Sequence, residues 1–417
     1  MRWWRSLTDT ARQPVSVDDV RRAALRIAGI ARETPVVSSR TLSERVGWTV
    51  GLKAENLQRT GSFKLRGALS KLAALGDGCA AGVVTGSAGN HAQAVAYAAR
   101  VRGVPCFVFM PEGAPIAKVE AARSLGANVR MVGQTVDDSL EAAYELAVED
   151  DRIAFVHPFE DPDVIAGQGT LGLELLEQVP DLARVVVPIG GGGLISGVAI
   201  TVKSARPSIE VVGVQVASCA PVRGSLAAGK PVPVRSALTI ADGIAVKRPG
   251  ELTLSLIDRW VDDVVAVEED EVAEAMVFLL ERTKLVVEGA GAVSVAALLA
   301  GRISTPMPGT TVVILSGGNV DAGLLGEVAR RHESQAGRRL VLLASLPDRP
   351  GSLARLLALV GELRANLVDV EHIREGFDLH VRETAVQLVL ETRGQSHAER
   401  VTEAVRAAGY DEPRALR

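Results

Sequence analysis

Apolar runs of strand length alternate with helix-patterned segments in the first part of the chain, and this alternation constrains the fold more than any other feature. The apolar runs at 83–85 and 106–110 are each followed by a helix-patterned segment, at 90–102 and 115–125. Strands that alternate with helices in this way form a parallel sheet with crossover helices on its faces. The sequence therefore predicts an α/β fold.

Later apolar runs extend the pattern and suggest two lobes. Further strands are expected at 128–132, 153–156, 184–189, 211–216 and 311–315. The early group reads as a small α/β lobe, over about residues 56–160, that is inserted into a larger lobe. We expect a catalytic domain over residues 1–330 that contains both lobes.

Polar or glycine-rich loops follow three of the predicted strands. Residues 87–93 follow the strand at 83–85, residues 190–193 follow the strand at 184–189, and residues 316–319 follow the strand at 311–315. Ligands of open α/β sheets bind outside the carboxyl ends of the strands. The three loops are therefore expected to meet in one site between the lobes.

Lys64 follows a glycine-containing turn and begins a helix-patterned segment at 64–75. Its amine would lie near the positive end of a helix, which disfavours the ammonium form. A partly neutral lysine can attack an aldehyde, and lysines hold pyridoxal phosphate in this way. Taken alone, a lysine after a turn is usually a solvent-exposed side chain. The neighbouring loops favour the catalytic interpretation.

Six stretches, taken together and in this order, resemble fold-type II pyridoxal phosphate enzymes. They are residues 53–64, 87–93, 167–170, 190–194, 241–246 and 316–319. The chain is most similar to the threonine dehydratase (threonine ammonia-lyase) family with a C-terminal ACT domain, and the resemblance extends from about residue 15 to the end. It implies the two-lobed α/β fold of the tryptophan synthase β subunit, with pyridoxal phosphate as cofactor. The combination is far more specific than any one stretch.

The resemblance also implies the residues of the site. The cofactor contacts would be Phe63, Lys64, Asn90, Gly190, Gly191, Gly192, Gly193, Leu194 and Ser316. The substrate contacts would be Ser87, Ala88, Gly89, Asn90, His91 and Gly243. No metal ligand is expected, and a monovalent cation held by carbonyl oxygens stays open.

Individual roles follow from the same resemblance. Lys64 would hold the cofactor covalently and then act as the base that removes the Cα proton. Asn90 would bind the ring hydroxyl of the cofactor, and Ser316 would meet the pyridine nitrogen as a neutral partner. Ser87, Gly89 and His91 would supply hydrogen-bond donors to the substrate carboxylate, in a loop whose backbone N–H groups face the crevice between strand and helix.

Three further residues are less constrained by the sequence. Asp242 is expected to line the substrate pocket, and Glu288 is expected near the cofactor with its role open. His157 is interpreted as a residue of the junction between the lobes and not as a catalyst. A glycine run such as 190–193 is by itself compatible with a simple packing turn.

The implied reaction is the dehydration and deamination of L-threonine to 2-oxobutyrate and ammonia, with L-serine to pyruvate as a side activity. Within the same cofactor chemistry, β-replacement and serine racemisation are alternatives. Serine racemases carry a second base, a serine, at the position of Ala88, which argues against racemisation. A dinucleotide-dependent dehydrogenase ranks low because the glycine spacing at 190–193 does not fit Gly-x-Gly-x-x-Gly. A non-catalytic amino-acid sensor is disfavoured by Lys64.

Composition excludes several other classes of protein. The chain has 417 residues, 47% hydrophobic residues and a net charge of −4, so it offers no basic surface for nucleic acid or anionic lipid. Its three cysteines, Cys79, Cys106 and Cys219, are too few and too far apart for a disulfide framework or a zinc site. Residues 1–5 lack the apolar segment of a secretory signal. We therefore expect a cytoplasmic protein without a membrane span.

The pattern changes after a polar stretch at 331–338, which is predicted to be a linker. Residues 339–417 show strand, helix, strand, strand and helix patterns and a short last strand, which predicts a ferredoxin-like βαββαβ module. The turn at 348–352 resembles ACT domains, which commonly bind amino acids at a subunit interface. An amino-acid effector and a homo-oligomer, dimeric or tetrameric, are implied. A purely structural dimerisation module is the competing interpretation, and isoleucine biosynthesis and threonine degradation both stay open.

Overall fold

The structure, a computed structural model, describes residues 15–235, 238–412 and 414–415. The sequence prediction for residues 1–5 lies outside these ranges. The chain forms two compact units that divide between Val320 and Asp321. The expected boundary was ten residues later, at residue 330. Each unit is described by itself below.

Strands of the first unit occur at ten places among the described residues. They are β1 (Val36–Ser38), β2 (Val50–Ala54), β3 (Val83–Gly86), β4 (Cys106–Met110), β5 (Asn128–Met131), β6 (Ala154–Phe155), β7 (Leu182–Pro188), β8 (Glu210–Val216), β9 (Asp263–Val267) and β10 (Thr310–Leu315).

Helices separate most of these strands. They are α1 (Val17–Ile27), α2 (Arg40–Val46), α3 (Lys64–Leu75), α4 (Asn90–Arg102), α5 (Ile116–Ser124), α6 (Val136–Glu149), α7 (Pro162–Gln178), α8 (Gly193–Ala205), α9 (Pro221–Ala228), α10 (Glu251–Trp260), α11 (Glu269–Phe278) and α12 (Gly289–Leu299). Short 3-10 helices occupy Glu55–Leu57, Gly76–Cys79 and Asp242–Ile244, and a π-helical turn occupies Leu279–Thr283.

The larger lobe contains a six-stranded sheet in the order β1-β2-β10-β7-β8-β9. In this order the five neighbouring strands β2, β10, β7, β8 and β9 are parallel, and only β1 is antiparallel to its neighbour β2. Every residue of β7 and β10 is buried. Helices must therefore cover both faces of the sheet, which explains why these strands are continuous apolar runs without alternation.

The smaller lobe contains a four-stranded parallel sheet in the order β5-β4-β3-β6. Leu65 and Leu72 from α3 share one hydrophobic core with Val95 from α4 and Val108 from β4. The predicted two-lobed α/β fold is thus confirmed. Among the described residues, none of the helices is both long enough and apolar enough to span a membrane.

The second unit begins with α13 (Ala322–Gln335) and continues with β11 (Arg339–Pro347), α14 (Ser352–Glu362), β12 (Asn366–Ile373), β13 (Phe377–Asp378), β14 (Glu383–Glu391), α15 (Gln395–Ala407) and β15 (Arg414–Ala415). Because α13 contacts β11 and reaches Gln335, it occupies most of the stretch that was predicted to be a linker at 331–338. This helix is why the unit begins earlier than the sequence pattern indicated.

The main sheet of the second unit has three antiparallel strands in the order β11-β14-β12. The helix α14 connects β11 with β12, and Leu356 and Val401 from the two helices pack on Leu388 in the core. This arrangement is the split βαβ pattern of a ferredoxin-like module. The short last strand β15 differs from the expectation, because it pairs with β13 in a separate ribbon and not with the main sheet.

Candidate active site

A cavity of about 760 Å³ lies between the two lobes of the first unit. It is bordered by the loops that follow β3, β7 and β10, by the start of α3 and by the turn at Asp242–Ile244. All the residues that the family resemblance suggested, from Phe63 to Ser316, line this one cavity. The structure therefore brings residues separated by more than 200 positions into one site.

Lys64 is the first residue of α3, and its side chain lies in the wall of the cavity. Its Nζ donates a hydrogen bond to the carbonyl oxygen of Pro158, at 2.8 Å. Burial lowers the pKa of Lys64 from 10.5 to about 8, although the charge of Glu288 acts in the opposite direction. The main cause of this lower pKa is desolvation of the ammonium, and not the position of Lys64 at the start of a helix, on which the sequence prediction relied.

Three helices that begin at the cavity have no side-chain cap. These are α3, α4 and α8, whose N-cap residues Phe63, Gly89 and Gly192 make no side-chain hydrogen bond to the first turn. By contrast, α6 begins with a capping box at Thr135. Uncapped first turns leave backbone N–H groups available for an anionic ligand.

The glycine loop 190–193 joins β7 to α8 along the cavity. Gly192 has a φ of +96°, which favours glycine. A Cβ added at Gly191 would lie 2.2 Å from the ring of Phe159, so this position admits no side chain unless the ring moves. The glycines therefore allow the loop to pack closely against Phe159. They also allow a nest of backbone N–H groups that is suited to a phosphate.

In the loop at 87–91, His91 is expected to supply a donor to the substrate carboxylate, and the structure shows which of its N–H groups is available. His91 is buried, and its Nε2 lies 3.0 Å from the carbonyl oxygen of Val156, which can only accept a hydrogen bond. Burial and the charge of Lys64 lower the pKa of His91 to about 3, so the ring is neutral. Its single N–H is therefore used by Val156, and Nδ1 cannot donate to a carboxylate. Only the backbone N–H of His91 can serve that purpose.

Ser316 lies at the end of β10 beside the lysine loop. Its Oγ is buried and lies 3.4 Å from the carbonyl oxygen of Ala290. The backbone N–H of Phe63 donates to the carbonyl of Ser316 at 3.0 Å, and that of Gly318 donates to Gly61 at 2.9 Å. These two bonds fasten the loop before Lys64 to the loop after β10.

Glu288 and Asn319 are polar residues of the cavity wall to which the sequence assigned no role. The Nδ2 of Asn90 donates to Glu288 Oε1 at 2.6 Å, and the Nδ2 of Asn319 donates to Asn90 Oδ1 at 2.7 Å. Burial, together with the charge of Asp242, raises the pKa of Glu288 to about 7, whereas the bond from Asn90 acts in the opposite direction. Asn319 belongs to a recognised motif, but its partner Asn90 is 229 residues away.

His157 occupies the junction between the lobes, as the sequence suggested. Its Nδ1 accepts hydrogen bonds from the backbone N–H groups of Phe159 and Glu160, at 3.2 and 2.8 Å. Its ring meets the ring of Phe159 edge to face, with centroids 4.7 Å apart. His157 thus orders the segment that places Pro158 next to Lys64.

A buried ion network behind Lys64 was not foreseen. The guanidinium of Arg66 binds both carboxylate oxygens of Glu55 at 2.8 Å and contacts Glu174 at 2.5 and 2.9 Å. Lys53 binds Glu174 at 2.5 Å. This network attaches the first turn of α3 to the end of β2 and to α7, and removing one partner of such a buried pair costs about 3–5 kcal/mol.

The rim of the cavity carries two ion pairs between the lobes. Lys118 of α5 binds Asp242 at 2.5 Å, and Asp137 of α6 lies 3.8 Å from Lys247. Asp242 lines the cavity as expected, but its partner Lys118 was not predicted. No local pattern in the sequence marks a pair formed across 124 positions.

The donor set fits pyridoxal phosphate. A lysine with a lowered pKa can hold its aldehyde, the uncapped glycine loop can hold its phosphate, and the neutral hydroxyl of Ser316 can meet its ring nitrogen. Within the described ranges no group of three or more His, Cys, Asp or Glu side chains is arranged to hold a metal ion.

The chain is similar to several known proteins. The model of the pyridoxal-phosphate dependent enzyme family matches residues 27–317. An L-threonine ammonia-lyase of Geobacter sulfurreducens is 47% identical over 386 residues, which cover 92% of this chain and 96% of that protein. Among solved structures, maize serine racemase has a TM-score of 0.72 and 36% identity, over 78% of this chain and 99% of that chain. The processed form of threonine deaminase isoform 2 from Solanum lycopersicum has a TM-score of 0.70 and 35% identity, over 76% of this chain and 94% of that chain.

The family model covers more than half of the chain, and the Geobacter relative is similar along nearly its whole length. The range matched by the family model contains Lys64, the glycine loop 190–193 and Ser316, which line the cavity. The chain therefore belongs to the pyridoxal-phosphate dependent enzyme family and, within it, to the threonine ammonia-lyases.

Proposed function

We propose that this protein dehydrates and deaminates L-threonine to 2-oxobutyrate and ammonia with pyridoxal phosphate, and converts L-serine to pyruvate more slowly. One observation carries the proposal: the amine of Lys64, with a pKa of about 8, lies in the wall of a cavity large enough for cofactor and substrate. A neutral amine is both the nucleophile that holds an aldehyde and a competent base.

The positions of the residues in the cavity wall support the proposed binding roles. Lys64 would hold the cofactor aldehyde, residues 190–194 would hold its phosphate, Asn90 would bind its ring oxygen and Ser316 would bind its ring nitrogen. Phe63 packs beside Lys64, with the Nζ of Lys64 5.4 Å from the ring centroid. The uncapped first turn of α4, with Ser87, Ala88 and Gly89 before it, supplies backbone N–H groups for the substrate carboxylate. Gly243 leaves space beside Ala290 for the substrate.

When bound, pyridoxal phosphate supplies an electron-withdrawing ring that delocalises the charge left by removal of the Cα proton. Lys64 takes that proton on Nζ, because its amine is beside the cavity and, with a pKa of about 8, is neutral in a far larger fraction of molecules at neutral pH than an ordinary lysine. Pro158 directs the amine through its carbonyl oxygen. Ser316 offers a neutral hydroxyl and no carboxylate, so it does not add a charge that would keep the ring nitrogen protonated.

Ala88, in the loop at 87–91, favours elimination over racemisation. Ala88 lines the cavity, and it occupies the sequence position at which serine racemases carry the serine that acts as a second base. A methyl group cannot return a proton to Cα from the face opposite Lys64. Racemase and β-replacement activities are therefore expected to be minor.

The assay for this proposal is the release of 2-oxobutyrate from L-threonine by the protein loaded with pyridoxal phosphate. Lys64→Ala is expected to lower turnover by more than about 10³-fold, because both the covalent attachment and the base are lost. Lys71→Met on the same helix, which breaks an ion pair with Asp161, is the matched control and should retain turnover. Undiminished turnover in Lys64→Ala would refute the assignment of the base.

We further propose that the second unit binds an amino-acid effector, so that the enzyme is allosteric. The support is its ferredoxin-like arrangement and the turn at 348–352, which precedes α14 and is held by an ion pair between Arg374 and Asp348 at 2.7 Å. A homo-oligomer in the cytoplasm that provides the precursor of isoleucine is part of the same proposal. Isoleucine and valine are the effectors to test first.

Keto-acid release at several threonine concentrations, with and without isoleucine or valine, tests this second proposal. A shift in the half-saturating threonine concentration is the expected result, and Asp348→Asn should weaken it without changing the uninhibited rate. If neither amino acid binds in calorimetry or changes the rate, the unit is a structural module, and threonine degradation becomes the better assignment.

A further inference from the structure

We propose that Glu288 and Asn319 are positioning residues that orient the side-chain amide of Asn90 so that its N–H, and not its carbonyl oxygen, faces the cofactor cavity. The inference deepens the proposed function, because it rests on the assignment of Asn90 to the ring oxygen of the cofactor. It concerns a chain of hydrogen bonds from Thr60 through Asn319 and Asn90 to Glu288.

The direction of this chain is set at one end by a backbone carbonyl. The carbonyl oxygen of Thr60 can only accept, and the Nδ2 of Asn319 lies 2.9 Å from it. The same Nδ2 then donates to Asn90 Oδ1 at 2.7 Å. The Oδ1 of Asn90 is thereby occupied, so its Nδ2 must face Glu288, at 2.6 Å from Oε1. Each amide has only one orientation that pairs a donor with an acceptor at every step.

The surroundings leave no room for an alternative arrangement. Glu288 is 6% exposed, and its carboxylate packs directly on Gly317. A Cβ at residue 317 would lie 2.3 Å from Glu288 Oε1 and 3.1 Å from Asn90 Nδ2. The glycine at this position of the loop after β10 is therefore required by the hydrogen bond between Asn90 and Glu288.

Oε1 of Glu288 can accept the hydrogen bond from Asn90 whether or not the carboxyl group is protonated. The backbone N–H of Asn319 also donates to this carboxyl group, and the pKa of Glu288 is raised to about 7 by burial. A proton on Oε2 leaves Oε1 able to accept from Asn90. The orientation of Asn90 is thus the same below and above neutral pH.

The orientation has a chemical consequence at the cavity. Glu288 uses one of the two hydrogens on Asn90 Nδ2, and the second remains for a group inside the cavity that Asn90 lines. An N–H donor stabilises the ring oxygen of the cofactor as an oxyanion, whereas a carbonyl oxygen would require that ring oxygen to keep its proton. The two situations differ in the near-ultraviolet and visible absorption of the bound cofactor.

The test measures the absorption spectrum and the pyridoxal phosphate dissociation constant of the full-length protein without substrate. Asn319→Asp replaces the donor amide by a group that only accepts, which forces Asn90 to turn, and Glu288→Leu removes the acceptor. Both variants are expected to lose at least half of the long-wavelength band and to bind about tenfold more weakly, the equivalent of about 1.4 kcal/mol. Glu288→Gln keeps an amide oxygen towards Asn90 and should retain the wild-type spectrum.

A destabilising variant at the other end of the sheet is the control. Arg184→Met breaks the ion pair between Arg184 and Glu210 at the start of β7, and it should lower the melting temperature without changing the spectrum. Wild-type spectra and affinities in both Asn319→Asp and Glu288→Leu would overturn the inference, as would identical spectra in Glu288→Gln and Glu288→Leu. Failure of the wild-type protein to acquire any visible band would instead contradict the proposed function.

Discussion

The inner wall and the rim of the cavity both carry charged side chains, but they differ in exposure. Glu288 on the inner wall is 6% exposed and depends on Asn90 and Asn319 for its hydrogen bonds. Asp242 on the rim has a side chain that is 57% exposed, and it pairs with Lys118. Water solvates the rim and not the inner wall. Burial therefore shifts the pKa of Glu288 on the inner wall, whereas solvent weakens the ion pair between Lys118 and Asp242 on the rim. We therefore expect the inner wall to determine the chemistry, and three experiments test this contrast.

The largest expected effect is the pH dependence of cofactor attachment at the inner wall. Burial lowers the pKa of Lys64 to about 8, so the ammonium predominates below that pH and the nucleophilic amine predominates above it. At pH values below about 8 the neutral fraction of Lys64 is a few hundred times that of an ordinary lysine. The rate at which the apoprotein takes up pyridoxal phosphate should rise with pH and level off above about pH 8.

Borohydride trapping followed by intact-mass measurement gives this rate at each pH. The Lys64→Ala variant provides the blank, since it lacks the amine. A midpoint near 10.5, the ordinary value for lysine, would show that the amine is solvated and would remove the contrast between the inner wall and the rim.

An intermediate effect is expected from Gly191→Ala. The added methyl group would meet the ring of Phe159 at 2.2 Å, and such overpacking costs about 1–3 kcal/mol. The loop would have to move away from the position in which we propose that it binds phosphate, so the pyridoxal phosphate dissociation constant should rise by about ten- to a hundredfold. Equilibrium titration of the apoprotein measures the change.

Gly224→Ala is the matched control for that substitution. Gly224 lies in α9, and nothing lies within 4 Å of a Cβ built there. Alanine should leave cofactor binding unchanged and stabilise the helix by about 0.5–1 kcal/mol. Equal effects of the two substitutions on the dissociation constant would contradict the packing account of the glycine loop.

The smallest effect is expected at the rim, from Lys118→Gln. An ion pair with an exposed partner contributes about 0–1 kcal/mol, so the KM for threonine should change by less than about fivefold, and kcat should barely change. The difference should shrink further as salt is added.

A double-mutant cycle with Asp242→Asn isolates the pair from other effects of each substitution. A hundredfold loss of kcat in Lys118→Gln that Asp242→Asn does not share would show that Lys118 acts directly in the reaction. The rim would then be as important as the inner wall.

Local patterns predicted the elements of the fold well. The helices at Lys64–Leu75 and Asn90–Arg102 begin and end where the sequence indicated, and β4 occupies the expected residues 106–110. These elements were predictable because hydrophobic periodicity and glycine positions are local properties. The start of the second unit was harder to predict, because α13 is amphipathic and only its contact with β11 assigns it to that unit.

The residues around the site also show that local patterns do not predict contacts between distant residues. The motifs correctly predicted which loops line the cavity, since parallel strands present their carboxyl ends at one edge. They did not predict that Val156 would occupy the one N–H of the His91 ring, or that Asn319 would orient Asn90. Hydrogen bonds between such distant residues leave no periodic trace in the sequence.

The sequence by itself determined the two-lobed α/β architecture and the loops at the strand ends that line the cavity with Lys64, because each depends on short-range patterning and on residue types that only a few chemistries require. Only the tertiary structure decided the protonation and orientation of the groups in the site. Burial controls the pKa values of Lys64 and Glu288, and a single backbone carbonyl at Thr60 sets the direction of the hydrogen bonds that reach Asn90. Both depend on which distant segments come together to exclude water.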